Sequence, residues 1–333
     1  MIRDRATTPA TRAVRSALPG LLAAAALAAV AAALPWLGVS SYARTLVYYT
    51  AYFLALGQAW NLMSGLTGYV SFAHGALAGI GGYAAVIALN AEWPMAAALG
   101  AAAATAVLAS LVIGLTSLRL RGTAFTFATL FFQELVLLVV RKLHVTGGPG
   151  GIVLSEIRPV WLPYVMMMAL AGAASIAVAL LCRSRVGVRI LAIKSDEVAA
   201  AAVGIDATRL KLVLFCASAG LAGLAGAAHG LFAASLYPDV VFSVDVSLVA
   251  LAVPLIGGVG TAAGPLAGAV VYVGIREVLQ SIAPGLHVTI VGLLLLGVVM
   301  FMNEGVAVAI GRAGARWRER RGRQDARVAA EGD

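Results

Sequence analysis

The sequence predicts an all-α integral membrane protein with about ten transmembrane helices in two inverted five-helix halves. Three observations predict it. The 333 residues are 61% hydrophobic and only 12% charged, whereas a water-soluble domain averages about 45–50% apolar and about 25% charged. The mean hydropathy of +0.94 leaves most of the surface facing lipid. The basic residues are also asymmetric: with the N-terminus inside, 19 of the 24 Lys and Arg fall on the inner side of ten spans, the bias that orients membrane proteins. The net charge of +9 is therefore mostly topology and implies no nucleic-acid partner. Two cysteines, Cys182 and Cys216, are too few for a disulfide framework.

A spanning helix needs about 20 mostly apolar residues. Charge-poor runs, cut at clusters of Arg, Lys, Pro and Gly, place the spans at 18-37, 44-63, 70-89, 94-117, 122-140, 161-181, 212-235, 246-260, 264-282 and 287-309. The gaps are short, so a single membrane domain, 18-309, lies between a cytoplasmic N-terminal segment, 1-17, and a basic cytoplasmic tail, 310-333. Arg3, Arg5, Arg12, Arg15, Arg119 and Arg121, the six basic residues of 183-211 and the seven of the tail lie inside. Arg44, Arg141, Lys142 and Arg158 lie outside, and Arg276 sits within a span. The run Leu21 to Leu34, with basic residues before it and Ala-x-Ala triplets within it, also fits a cleavable signal peptide, which would leave the later topology unchanged. The tail reads as an electrostatic anchor at anionic lipid.

The longest polar stretch between spans is 183-211. Ser195 can cap a helix there, Asp196 and Glu197 suit the positive end of its dipole, the alanines Ala199 to Ala202 favour helix, and Gly204 fits its C-terminal stop. The expectation is a short, stiff helix over 195-205. It would offer a narrow face, including Ala200 and Ala201, to a groove on another protein, with Asp196 and Glu197 exposed to basic partner residues. A connector lying on the membrane is the competing reading.

No Gly-x-x-x-x-Gly-Lys-Ser/Thr phosphate loop occurs, and the run Gly257 to Pro265 has no lysine, so any ATP belongs to a separate subunit and the chain needs no cofactor of its own. The ionisable residues within spans are His74, Glu134, His229, Arg276 and Glu277. Each costs roughly 2.5–3.5 kcal/mol at the bilayer centre. Glu134, beside Gln133, is the candidate for pathway or helix-pairing polarity. Helix pairing is the expected role of the two histidines and of the Arg276-Glu277 pair. No acidic cluster marks an ion path and no metal site is expected. The glycines concentrate around 65-82 and 257-268. Small residues let helices approach closely, and Gly- or Pro-interrupted spans in corresponding halves point to a transport pathway. Asn61, Ser71, His74, Gly257, Gly258 and Gly260 are candidates for such a pathway or for helix pairing; plain packing is the simpler account of most single glycines.

Four stretches, with the glycine run, carry a family resemblance. They are Asn61 to Gly68 with Ser71 to Gly75; Leu118 to Gly122 with Thr129 to Glu134; Thr146 to Gly148 with Gly151-Ile152; and 195-205, joined by Gly257 to Thr261 and Gly264-Pro265. Over about 45 to 300 the chain resembles the permease subunits of branched-chain amino acid ABC importers of the high-affinity leucine/isoleucine/valine type, and the longer of the two permeases. The Leu-Arg-Leu-Arg-Gly motif and the basic approach from Arg183 to Arg189 carry that last point. The resemblance implies the ABC importer permease fold of the branched-chain amino acid/ribose class. It implies that Ser195, Asp196, Glu197, Ala200, Ala201 and Gly204 belong to a coupling helix that enters a cleft on the ATPase, although Val198 replaces the first alanine of the family's Glu-Ala-Ala loop. It also implies a second permease subunit, two cytoplasmic ATPase subunits and a periplasmic or extracellular substrate-binding protein, in a bacterial inner membrane.

The expected function is thus a non-enzymatic permease forming half of a translocation pathway for branched-chain amino acids. The alternatives are a permease of the same family for urea, amides or aromatic acids, an ion-coupled secondary carrier, and a membrane-embedded enzyme. Four scattered histidines give no convergent catalytic set for the last.

Overall fold

The computed structural model describes residues 40–282 apart from 121 and 157, together with 292. The expected spans 18-37 and 287-309, the signal-peptide reading, the segment 1-17 and the tail 310-333 lie outside the described residues, residue 292 apart.

The described residues form eleven α-helices, one π-helical turn and a small sheet. In chain order the helices are α1 (Ser41–Trp60), α2 (His74–Asn90), α3 (Met95–Ser117), α4 (Thr123–Lys142), α5 (Trp161–Arg183), α6 (Arg185–Ser195), α7 (Glu197–Ala202), α8 (Ala207–Ala233), α9 (Pro238–Val241), α10 (Val244–Gly257) and α11 (Gly264–Ile282). A π-helical turn, Asn61–Gly65, continues α1. Among the described residues the only strands are β1 (Ile152–Val153) and β2 (Ser235–Leu236), an antiparallel pair in which Ile152 faces Leu236.

Eight of the ten expected spans have a helix in register with them. Among the described residues, five segments are long and apolar enough to cross a membrane: α3, α4, α5, α8 and the stretch Pro238–Gly257. The other three are less regular for visible reasons. Gln58 is buried in α1, which ends in the π turn; α2 has only 17 residues; and α11 carries Arg276 and Glu277. The Arg276 guanidinium lies 5.4 Å from the Tyr49 ring centroid, and Tyr42 donates a hydrogen bond to Glu277, so both residues engage α1 instead of each other.

The core is built on α8, whose buried stripe includes Ala219, Ala222, Gly223, Ala225, Gly226 and Ala228. A methyl group on Gly226 would strike the Ala78 carbonyl of α2, and one on Gly81 would strike the backbone of Gly223. Backbones meet directly at these points, the packing that small residues allow where lipid supplies no hydrophobic drive between helices.

The two ends of the bundle differ. At one end lie α6, α7, the π turn and the 258–263 loop, joined by hydrogen bonds from Lys194 to the Gly65 carbonyl and from Tyr69 to Glu197. At the other, the β1–β2 pair is braced by Asn90, whose Nδ2 donates to the Val153 carbonyl at 2.9 Å, and an Arg141–Asp239 ion pair links α4 to α9.

Candidate functional site

The segment 183-211 folds as two helices where a single one over 195-205 was expected. Ser184 caps α6, accepting from the Gly187 N–H, and α6 runs to Ser195. Asp196 then breaks the helix with extended backbone angles, and its Oδ1 accepts from Val198 N at 2.8 Å and Ala199 N at 3.0 Å. The cap of α7 is therefore Asp196 and not Ser195, whose hydroxyl donates back to the Leu191 carbonyl. Aspartate wins because its carboxylate reaches two free amides and favours the positive helix end. Gly204 has φ +82°, the left-handed conformation that ends such a helix, as its sequence position suggested.

Glu197 also departs from the expectation. It was expected to face a partner protein, but its carboxylate turns back to the bundle. One oxygen accepts from Lys211 Nζ at 2.7 Å and the other from the Tyr69 hydroxyl at 2.8 Å. The Lys211 side chain is only 1% exposed, and its ammonium sits 3.8 Å from the Tyr69 ring centroid. A cation so buried needs an anion beside it, and Glu197 is that anion. This explains why α8 starts at Ala207, ahead of the expected 212: the lysine is satisfied within the helix and does not end it. Ala200 is likewise buried, packed with Ile193 and Ala207. The outer face of the pair consists of Asp196, Val198, Ala199, Ala201, Ala202 and Val203, all exposed, with Val198 69% and Val203 75% accessible. The six-residue helix and its C-cap residue Val203 thus turn two valines and three alanines outward.

Beside it, the end of α1 meets the glycine loop. Asn61 Nδ2 donates to the Thr261 carbonyl and its Oδ1 accepts from Gly260 N, both at 2.8 Å; one turn earlier, Gln58 Nε2 donates to the Ala262 carbonyl at 2.8 Å. Gly258 and Gly260 have φ of +126° and +76°, which glycine adopts without strain. Gly257 lies where α10 meets α11, since a methyl group there would strike the Gly264 carbonyl. Lys194 of α6 completes the junction, donating from Nζ to the Gly65 carbonyl at 2.7 Å. Burial lowers the Lys194 pKa.

Deeper in the bundle, the expected polar group, Glu134, is not the buried one. Glu134 is exposed on the side of α4 that also carries Phe131, Leu135 and Leu138, whereas Phe125, Thr129 and Gln133 form the inward stripe. Gln133 Nε2 donates to the Ser243 carbonyl at 2.8 Å, and its Oε1 accepts from the Ser247 hydroxyl. Ser247 Oγ also accepts from Gly75 N at 2.8 Å and lies 2.6 Å from the Phe72 carbonyl. A helix turns about 100° per residue, so adjacent polar residues cannot both face inward. Ser71 and His74 belong to the same buried layer: Ser71 accepts from Trp60 Nε1 at its carbonyl, and His74 Nε2 lies 3.3 Å from Ser218 Oγ. His229 stacks on Tyr52, ring centroids 4.4 Å apart.

The geometry thus brings together Asn61, Gly258, Gly260, Lys194 and the Glu197 anchor at one end, and Ser71, His74 and Gln133 in the interior; Ser195 and Glu134 stand apart from both groups. Gln58, Tyr69, Gln133, Lys194, Lys211 and Ser247 were not anticipated as site residues. The helical spacing of Phe125, Thr129 and Gln133, and a lysine at the fifth position of a mostly apolar helix, were the available signals for two of them.

Fold and site together define a multi-pass, all-α membrane protein with a surface helix anchored to its span ends. Residues 42–302 match the family described as the branched-chain amino acid transport system / permease component, and the chain belongs to that family. It is 27% identical over 293 residues to the high-affinity branched-chain amino acid transport system permease protein LivM of Salmonella typhimurium, covering 77% of this chain and 68% of the relative. The same identity and coverage hold for LivM of Escherichia coli. No solved structure matches the chain significantly.

Proposed function

We propose that the chain is the inner-membrane permease subunit of an ATP-driven importer and forms half of a translocation pathway for branched-chain amino acids. Its partners are a second permease subunit, two cytoplasmic ATPases that consume the ATP, and an external binding protein that delivers the substrate. Both termini and the 183-211 segment lie in the cytoplasm, where the basic residues concentrate. Family membership supports the transport role. The observation that carries the coupling assignment is α7 itself, with a small apolar face turned outward and Glu197 anchored inward.

The outward face gives the test. Ala201 is exposed and takes no part in the anchor, so Ala201→Arg places a bulky charge on the docking face without disturbing the bundle. The variant is expected to reach the membrane at the normal level and unfold at the normal temperature, while the ATPases no longer co-purify with it. Full ATPase recovery together with unimpaired leucine uptake would remove α7 from the coupling interface.

A further inference from the structure

The ammonium of Lys194 does two jobs at once. The end of α1 leaves carbonyls without intrahelical partners, and a cation near a helix C-terminus satisfies them and complements the dipole. Here that cation arrives from a separate helix, 129 residues along the chain. Its stem passes Gly68, and its Nζ lies beside Gly260. The Gly65 carbonyl that it holds belongs to the π turn, and the same turn holds the glycine loop through Asn61. A continuous line of charge-assisted and side-chain hydrogen bonds therefore runs from α6 to Gly65, through Asn61 to Gly260 and Thr261, where α10 gives way to α11.

We propose that Lys194 is a positioning residue that makes the end of α1 and the glycine loop move with the surface helices. The inference rests on the reading that an ATPase docks on α7. Two features give it direction. A six-residue helix anchored inward by Glu197 and capped by Asp196 moves as a unit with α6, because Ile193 of α6 packs against Ala200 of α7. The receiving end is deformable: a π turn is a helix with one residue too many in its turn and is commonly a site of adjustment, and the loop beyond it contains two glycines at positive φ. Movement of α6 by one hydrogen-bond length must either break the Lys194–Gly65 contact or carry the π turn along. Lys194 is itself exposed, but the first alternative leaves the carbonyl of the buried Gly65 without its charged donor, so the second is favoured.

The test uses the complete assembly of this chain with its second permease, ATPases and binding protein in proteoliposomes, reading ATP hydrolysis and leucine uptake together. Lys194→Met keeps the stem and removes the ammonium. Its ATPases are expected to remain bound and to hydrolyse ATP at a near-normal rate, while uptake per ATP falls about tenfold, the factor that one charge-assisted hydrogen bond sets. Lys194→Arg restores a donor and is expected to recover most of the ratio; a purely stabilising cap would lower both readouts together. A normal uptake-to-ATP ratio in Lys194→Met overturns the proposal, and loss of the ATPases from that variant makes Lys194 a docking residue and overturns it too. Should Lys194→Met fail to accumulate, hydrogen exchange of 258–263 in the wild-type assembly decides: the relay requires it to change when the ATPases are trapped with vanadate, and an unchanged pattern contradicts it. If the ATPases do not bind the wild-type chain, the ATPase-partner reading fails first, and the relay with it.

Discussion

Glu197 is the residue at which one carboxylate determines whether a surface helix stays attached to the bundle. Its two oxygens hold a buried ammonium and a tyrosine hydroxyl, so its loss would leave Lys211 as an uncompensated charge. Removing one partner of a fully buried pair costs roughly 3–5 kcal/mol. The Glu197 side chain keeps 28% of its exposure, which lowers the expected cost to about 2 kcal/mol after screening. Glu197→Gln is therefore expected to lower the unfolding temperature in detergent, and Glu197→Arg to lower it further, because the new cation faces Lys211 directly. A Glu197→Arg protein of wild-type thermal stability would mean that the carboxylate faces outward. The sequence marked this residue as important and misjudged its direction: an acid in the first turn of a short helix suits the dipole equally well on either face, and only the position of Lys211, fourteen residues on, breaks the tie.

At the scale of elements, α4 shows what periodicity resolves and what it leaves open. Its existence and ends were legible, since the expected 122-140 became Thr123–Lys142. Its orientation was not, because Gln133 and Glu134 are adjacent and an apolar helix offers little contrast between its faces. Replacing Gln133 by Leu removes the side-chain donor to the Ser243 carbonyl and one of the two acceptors of the Ser247 hydroxyl, with hydrogen bonds between membrane helices worth about 0.6 kcal/mol each and up to about 1.7. Gln133→Leu should accordingly destabilise the protein by about 1 kcal/mol, measured by thermal unfolding, while Glu134→Leu leaves the unfolding temperature unchanged. The reverse ranking would show that Glu134 is the buried partner. The break between α6 and α7 was hidden for a different reason: Ser195 and Asp196 are both good caps, and the choice between them depends on where the preceding helix stops.

For the whole molecule, composition and the placement of basic charge already indicated a multi-pass helical protein, and the helices found at eight expected spans agree with that plan. The coupling between its two functional layers was not legible. It depends on Lys194 meeting Gly65, Tyr69 meeting Glu197, and Asn61 meeting Gly260, contacts between positions 128 to 199 residues apart, whereas local pattern reports only neighbours within a few turns. These contacts join the surface helices, the π turn and the glycine loop, and in the proposed reading they act as one mechanical junction that partner ATPases drive.

Labelled leucine uptake into proteoliposomes tests that claim most directly, comparing the chain alone under proton and sodium gradients with the chain assembled with a second permease, ATPases and binding protein. Uptake is expected only in the complete assembly and only with ATP inside or outside as the ATPase orientation requires; gradient-driven accumulation by the isolated chain would contradict the account.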